Sequence, residues 1–507
     1  MTKGDIIKED KKYKEIRTEE DRQKEIDRET VRVEQEVPDS SVSEAEKTAD
    51  RTELSPDEQP VFDTDPDSSI ELVYGIEEHP KSIWETLFYA FQITLVDFTP
   101  FIWAGMFVSI AGLEESVIAT MIRTCFLAMG IATLIQTTIG NRLPIVQGPS
   151  SSVLTAMGNV TAVYGFAAMW GAVLVGGALE FLIGKAKILG KLRRFIPAVV
   201  TGSVVTVIGF VATRISITWI FTKPNAMDLS LALVAFLLAI ILKFKGKGIM
   251  SSGFVLFTVL IVGVIGASLV GRYNWASVAE APLFSLPTLF PFQGHGGEES
   301  PFVILGAAVL VGFTGYIGSM FESLGDYAAT CAVSKTTYRV KHINKGITAE
   351  GLGCVASGLL GALPVTSYTQ NIGIIAATGV ASRRITQVAA VIFLFYGLSP
   401  KLAAMLAAIP RPVVGGVFLI SAALIMFSGI EVIASEKRNT ANNLIAGVTI
   451  GCGVMVPTFA TGAWKEWVAG FSDFGRMFVT SNIFIAVVVG IVMNLLIHHF
   501  LKAGDEN

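Results

Sequence analysis

Glu322 and Asp326, in FESLGDY (321–327), are the residues of this 507-residue chain with the plainest capacity for chemistry. At i and i+4 they share one helical face, a turn apart. Close like charges disfavour ionising both, so such a pair can take up and release a proton, as a proton-coupled carrier requires. Glu322 can also accept hydrogen bonds from ring N–H groups. The plainer alternative leaves Asp326 as an acid at a helix end, facing a loop.

A second polar group opens TQNIGIIAATG (369–379), where Gln370 and Asn371 offer amide donors and acceptors together. A helix start exposes unpaired backbone N–H groups, so a planar polar ligand can be read there on two edges. Simple capping by Asn371 is the alternative. Gly373 and Gly379 would let neighbouring helices approach closely. A third group, Gln147, Gly148 and Ser150 to Ser152, again sets small hydroxyls beside a helix start. If the two starts face each other, their positive dipole ends complete a pocket.

The elements that must position these residues are membrane spans. The composition is 51% hydrophobic and 16% charged with 49 Gly, and the mean hydropathy of +0.57 is one that few water-soluble proteins reach. Successive apolar runs approach the ~20 residues needed to cross a bilayer. We expect fourteen, at about 84–109, 117–139, 151–164, 166–186, 195–213, 229–244, 250–270, 303–326, 344–362, 370–380, 385–408, 413–427, 439–460 and 480–501. Segments 151–164 and 370–380 are too short to cross as helices. Each follows Leu-Pro, so both are expected as half-helices joined to short extended strands, a form tolerated only where it lines a cavity.

Residues 1–80 read differently, as a charged, disordered cytoplasmic tail that runs into a Ser-, Asp- and Pro-rich linker. It holds most of the charge behind the net −4, so no nucleic-acid partner is indicated. MTKGDIIKEDKK (1–12) holds no apolar signal region, so the first span is expected to direct insertion. Cys125, Cys331, Cys354 and Cys452 have neither metal nor disulfide spacing. The five His lie outside span interiors or near their ends and form no metal cluster. No Walker A loop appears, and no nucleophile–base set. We therefore expect no enzyme activity, no cofactor, no metal and no catalytic residue, only transport driven by a gradient. Basic loops at 185–194, 241–247, 334–345, 382–384 and 436–438 place those sides, both termini and the short tail 502–507 in the cytoplasm of a multi-pass plasma-membrane protein.

LPIVQGPSSSVLTAMGNV (143–160) and LPVTSYTQNIGIIAATGV (363–380) correspond at a fixed offset, and IPAVVTGSV (196–204) is echoed by IPRPVVGGV (409–417). Seven spans separate the copies, so the second is inverted, the pattern of secondary transporters with a midplane site. Ionisable groups inside spans are few: Asp97, Arg123, Glu180, Glu322, Asp326 and Glu350.

QGPSSS (147–152), FESLGDY (321–327), GITAEGLG (346–353) and QNIGIIAATGVASRR (370–384) resemble the nucleobase–ascorbate transporter family, or nucleobase:cation symporters, of xanthine/uracil permease type. The resemblance covers about 84–501, and Gln370, Asn371, Gly373, Thr378 and Gly379 meet the family signature. It implies an all-α membrane fold of fourteen segments in two inverted sevens. A core (about 84–186 and 303–408) would move against a gate (about 195–270 and 413–501) that often supplies a dimer contact. It also implies Glu322 as the substrate-binding carboxylate, Gln370 and Asn371 as the signature pair, and Glu350 as an acid tuning coupling. Gln before Asn is similar to xanthine or uric acid carriers, Glu to uracil carriers, Pro to ascorbate carriers. In two places the chain departs from the pattern: Ser151 stands where many members place a stacking aromatic, and Ile93 follows Gln92 where a His is common.

The expected function is thus alternating-access symport of an oxopurine with a proton, sodium being the less favoured ion, by a homodimer in a lipid bilayer. Substrate contacts are assigned to Glu322, Gln370, Asn371, Ser150, Ser151 and Gly373, proton coupling to Glu322, Glu350 and Asp326, and first-span polar roles to Gln92 and Asp97. The rivals are a uracil or ascorbate carrier of the same family, an anion exchanger of similar architecture without a buried carboxylate, and a receptor or structural protein working through the tail.

Overall fold

Apolar segments with no water to bond must satisfy their own backbone groups, and here they do so as helices. The computed structural model describes residues 55, 57–61, 70–149, 151–189, 197–221, 225–294, 300–436 and 438–501. Most of the expected tail, Ser150, residues 190–194 of one basic loop and residues 502–507 lie outside the described residues. The chain divides into Met1–Gln59 and Pro60–Asn507, and the helices and strands named below all belong to the second unit.

Its main elements are α1 (Ile83–Val96), α2 (Pro100–Ala111), α3 (Val117–Thr138), β1 (Gln147–Pro149), α4 (Ser151–Lys185), α5 (Ala198–Phe221), α6 (Ala226–Lys245) and α7 (Phe254–Leu269). They continue with α8 (Gly306–Val333), α9 (Val340–Leu360), β2 (Val365–Ser367), α10 (Thr369–Thr378), α11 (Arg383–Gly397), α12 (Pro400–Ala407), α13 (Arg411–Ala434), α14 (Thr440–Thr461) and α15 (Asn482–Asn494). Helix overlaps every segment expected from the sequence, yet among the described residues eight helices are long and apolar enough to cross a membrane, or nine counting α11 with α12. The outer face of α6 carries Leu233, Leu237, Ile241 and Phe244, all exposed and on one stripe. A soluble protein does not leave such a stripe bare; a lipid-facing helix does.

Two segments expected to be continuous are broken. Pro100 has no N–H to give the Val96 carbonyl, and the chain leaves helical geometry at Asp97 and resumes at α2. Pro400 does the same after Gly397, where α11 and α12 bend by 80°. The expected break between 164 and 166 falls at Gly165, whose φ of 81° and ψ of 176° interrupt α4.

β1 and β2 form a two-stranded antiparallel sheet in which Gln147 faces Ser367, Gly148 faces Thr366 and Pro149 faces Val365. This sheet carries the backbone bonds of the extended stretches that precede α4 and α10. Around it, α4 lies against α8 and α9, while α11 lies against α1 and α3. A second group forms as α5 packs on α13, α14 and α15, and α6 packs on α13 and α7.

The compact unit begins earlier than the composition suggested. Residues 70–79, assigned to the tail, run along the end of α10: Val73 N donates to Gly379 O (2.7 Å), Ala381 N to Tyr74 O (2.8 Å) and Arg383 N to Ile76 O (3.1 Å). Arg383 Nε and Nη2 donate to Glu77 Oε2 at 2.9 and 2.6 Å, and Arg142 adds a longer pair at 3.4 Å. Composition could not show this, because the strap is held by backbone pairing and one buried-side arginine.

Bonding to Arg383 holds the Glu77 carboxyl below the usual carboxylate range. Its contribution to the strap is therefore present above the ordinary Glu pKa and disappears as pH falls through the depressed value. Exposed pairs of this kind contribute about 0–1 kcal/mol. Glu77→Gln is expected to raise amide exchange at Val73 and Ala381 severalfold near neutral pH, measured by hydrogen–deuterium exchange, with the difference from wild type vanishing in acid.

Candidate functional site

The start of α10 reaches the middle of the unit because β2 delivers it there, and Tyr368 N, bonded to Val146 O at 3.0 Å, fixes the turn between strand and helix. A cavity of about 300 Å³ opens at this point. Its wall takes Thr366 to Gln370, Gly373 and Ile374 from β2 and α10, Glu322 from α8, Val96, Thr99 and Trp103 from the broken first span, and Pro149 from β1. Lys243, Phe254, Ser421 and Ser428 close it from α6, α7 and α13. The volume lies at the lower end of the range for small-molecule sites, roughly 300–1,000 Å³.

Glu322, Gln370 and Gly373 thus meet in one cavity. Ser152, the second residue of α4, donates to Glu322 Oε2 at 2.7 Å, which brings the first half-helix to the same carboxylate. Ser150 and the Ser151 side chain lie outside the described residues and atoms. Asp326, one turn on from Glu322, accepts from Ser367 (2.8 Å) and Thr369 (2.9 Å), so it braces the strand-to-helix turn rather than facing a loop. Glu350 lies deeper and accepts from Ser319, Ser323, Tyr327 and Thr366 at 2.8–3.2 Å.

Other expected residues sit elsewhere. Asn371 is fully buried, and its amide donates to Pro144 O at 2.6 Å, tying α10 to the loop before β1 instead of facing the cavity. Its carbonyl oxygen has no partner among the described residues. Gln92 and Asp97 are buried on the first span, and neither lines the cavity; Val96 and Thr99 beside Asp97 do. Gly373 does not admit a neighbouring helix, since a Cβ there meets nothing within 4 Å and only the cavity lies beyond it. Gly379 does admit a close neighbour, but it is the strap: a Cβ would collide with Glu71 O, and its φ is +68°.

Sequence reasoning missed the aromatic lining. Tyr368 precedes the α10 polar pair, and its counterpart in the first copy is Gly148. The two are packed together, since a Cβ on Gly148 would overlap the Tyr368 ring. That Gly-for-Tyr exchange between matching segments was a usable signal. Trp103 and Phe254 gave none, since only the tertiary fold brings them to the site. Arg123, also singled out, instead braces loops through Gly397 O (3.3 Å) and Ser285 O (3.1 Å).

Fold and cavity define a mostly helical, polytopic membrane protein with a largely apolar pocket that carries a few polar groups at two half-helix starts. Residues 84–462 match the model of the Permease family of xanthine and uracil permeases, and the chain belongs to this, the nucleobase–ascorbate transporter family. It is similar to the uric acid permease PucK of Bacillus subtilis (strain 168), with 30% identity over 357 residues, 68% of this chain and 80% of the relative. The xanthine permease of the same organism is 28% identical over 377 residues, 72% of this chain and 84% of the relative. Among solved structures, the transmembrane domain of the cyanobacterial bicarbonate transporter BicA superposes with a TM-score of 0.53 at 15% identity, over 83% of this chain and 99% of that one. That likeness extends to the fold alone.

The two signature glycines should respond differently to alanine. Gly379→Ala forces a side chain into left-handed backbone, a cost of about 1–2 kcal/mol before the clash with Glu71 is counted, and should lower the unfolding temperature in detergent by several degrees. Gly373→Ala should leave that temperature unchanged while weakening ligand binding, because its methyl enters only the cavity.

Proposed function

We propose that the chain is a secondary active permease for a nucleobase, most closely an oxopurine such as xanthine or uric acid, carried by symport with a proton. The observation that carries this reading is one cavity in which Glu322, oriented by Ser152, and Gln370, at the start of α10, stand among Tyr368, Trp103 and Phe254. An oxopurine has apolar faces and an edge of N–H and C=O groups. Aromatic side chains suit the faces, a carboxylate accepts from ring N–H, and an amide with free helix N–H groups serves the carbonyl edge. The printed names of the uric acid and xanthine permeases among its relatives support the same substrate class.

Transport by alternating access with an elevator-like motion fits two helix groups of unlike packing. In this reading α1–α4 and α8–α12 form the core that carries substrate, and α5–α7 and α13–α15 form the gate and supply a homodimer contact. The fourteen segments are two inverted sevens. Support comes from β1 and β2, where Gln147 pairs with Ser367, its own counterpart at the repeat offset, so a local two-fold passes through that pair. The matching packing of α4 on α8 and α9 and of α11 on α1 and α3 agrees. Both termini are cytoplasmic and the membrane is the plasma membrane. The anion exchanger is disfavoured because an inorganic anion has no ring N–H to offer Glu322, which stands half-buried in the cavity wall, whereas an oxopurine does.

Radiolabelled xanthine, urate, uracil and ascorbate uptake, measured in cells without their own carriers at two pH values with and without a protonophore, tests the reading. Wild type should accumulate xanthine or urate, more at acid pH, and lose accumulation with the protonophore. Glu322→Gln should cut uptake by at least about tenfold, the worth of one hydrogen bond to a charged group. Uptake of none of the four, or a fully active Glu322→Gln, would sink it.

A further inference from the structure

Glu180 belongs to no part of the site described above. It lies on α4 between Gly177 and Gly184, at i−3 and i+4 and thus on their face. Both glycines touch α9: a Cβ on Gly177 would fall 2.9 Å from Cys354 Cβ, and one on Gly184 would collide with Thr348 N. From the other side, a Cβ on Gly351 would collide with Phe181 N. The backbones of α4 and α9 therefore meet on either side of Glu180, and its carboxyl is closed into the seam with Glu350 and Cys354 across it.

The two carboxyls are both fully buried and treated in opposite ways by their surroundings. Glu350 accepts from four hydroxyl side chains, Ser323 reaching both oxygens. Among the described residues neither oxygen of Glu180 has a hydroxyl or N–H partner; only the weakly donating Cys354 thiol is near enough to serve it. No Lys, Arg or His is paired with either carboxyl among the described residues. The other titratable neighbours are occupied: Tyr316 of α8 donates to Val173 O (3.0 Å), Tyr327 of α8 to Glu350 (2.9 Å), and the Cys354 thiol of α9 to Val365 O (3.2 Å). Gln136 of α3, which donates to Tyr327 at 2.9 Å, does not titrate. Donors favour the charged form of the group they serve, whereas a bare buried charge is costly, so the seam suits one negative charge and not two.

We infer that Glu180 carries a proton opposite an ionised Glu350, and that this one-proton pair holds α4 against α9 behind the substrate cavity, making Glu180 a positioning residue for transport. The connection to the site is direct. The first turn of α4 presents Ser152 to Glu322, and Thr366, which bonds Glu350, lines the cavity. Loss of the Glu180 proton would put two like charges in the seam and separate the helices that set this geometry. Transport should then fail on the alkaline side.

The inference rests on the permease reading for its transport readout only, so two measurements on the full-length protein are paired. Infrared difference spectra in H₂O and D₂O should show that Glu180→Gln removes one protonated-carboxyl band, while Glu350→Gln keeps that band and removes an ionised-carboxylate band. Uptake of radiolabelled xanthine or urate should fall for wild type as pH rises, with the fall in Glu180→Gln displaced upward by about one pH unit or more, a tenfold change in proton activity. Survival of the protonated band in Glu180→Gln, or superimposable alkaline limbs, would overturn the inference. A wild type that carries neither purine would defeat the permease reading and leave the infrared comparison standing.

Discussion

Everything in this structure depends on how unpaired backbone is satisfied where two helices begin buried inside the protein. Six residues solve it: Gln147 to Pro149 and Val365 to Ser367 pair with one another, each strand supplying what the other lacks. Irregular backbone at that depth persists only when protein replaces water as its partner. The pairing also decides where α4 and α10 start. Their first turns converge on Glu322 because their strands are joined, and substitution of either strand would move both at once.

A second constraint comes from burying acids. Among the described residues Glu322, Asp326 and Glu350 form no ion pair with lysine or arginine; they are matched by hydroxyls from Ser152, Ser319, Ser323, Tyr327, Thr366, Ser367 and Thr369. Hydroxyls stabilise a carboxylate without fixing its charge permanently, as an ion pair would. Sites that must change protonation during a cycle gain from that weakness. Several of the donors lie on β2 or the turn after it, so the strand pair and the acid network are one assembly, and Ser367 joins them by bonding both Ser323 (3.0 Å) and Asp326 (2.8 Å).

Much of this was legible in the residues. Leu-Pro before a short apolar run marked both half-helices, and the i, i+4 spacing of Glu322 and Asp326 marked one helical face. The breaks at Pro100 and Pro400 were equally visible as prolines inside apolar runs, but an uninterrupted count of hydrophobic residues hid them. Asn371 reads as a ligand group because an amide at a helix start can serve either a ligand or a neighbouring loop, and only the tertiary position of Pro144 decides which. Trp103 and Phe254 reach the cavity from helices distant in sequence, and the strap at residues 70–79 is held mainly by backbone bonds, to which composition is blind.

Binding of a base between the two half-helix starts is the claim on which the transport mechanism stands. A cryo-electron-microscopy map of the purified protein saturated with xanthine tests it most directly. Ring density is expected in the 300 Å³ cavity, one edge against Glu322 and another at the start of α10, with Tyr368 or Phe254 against a ring face. Ring density in the larger, 700 Å³ cavity lined by Arg123, Arg272 and Arg411, with the smaller one empty, would contradict it.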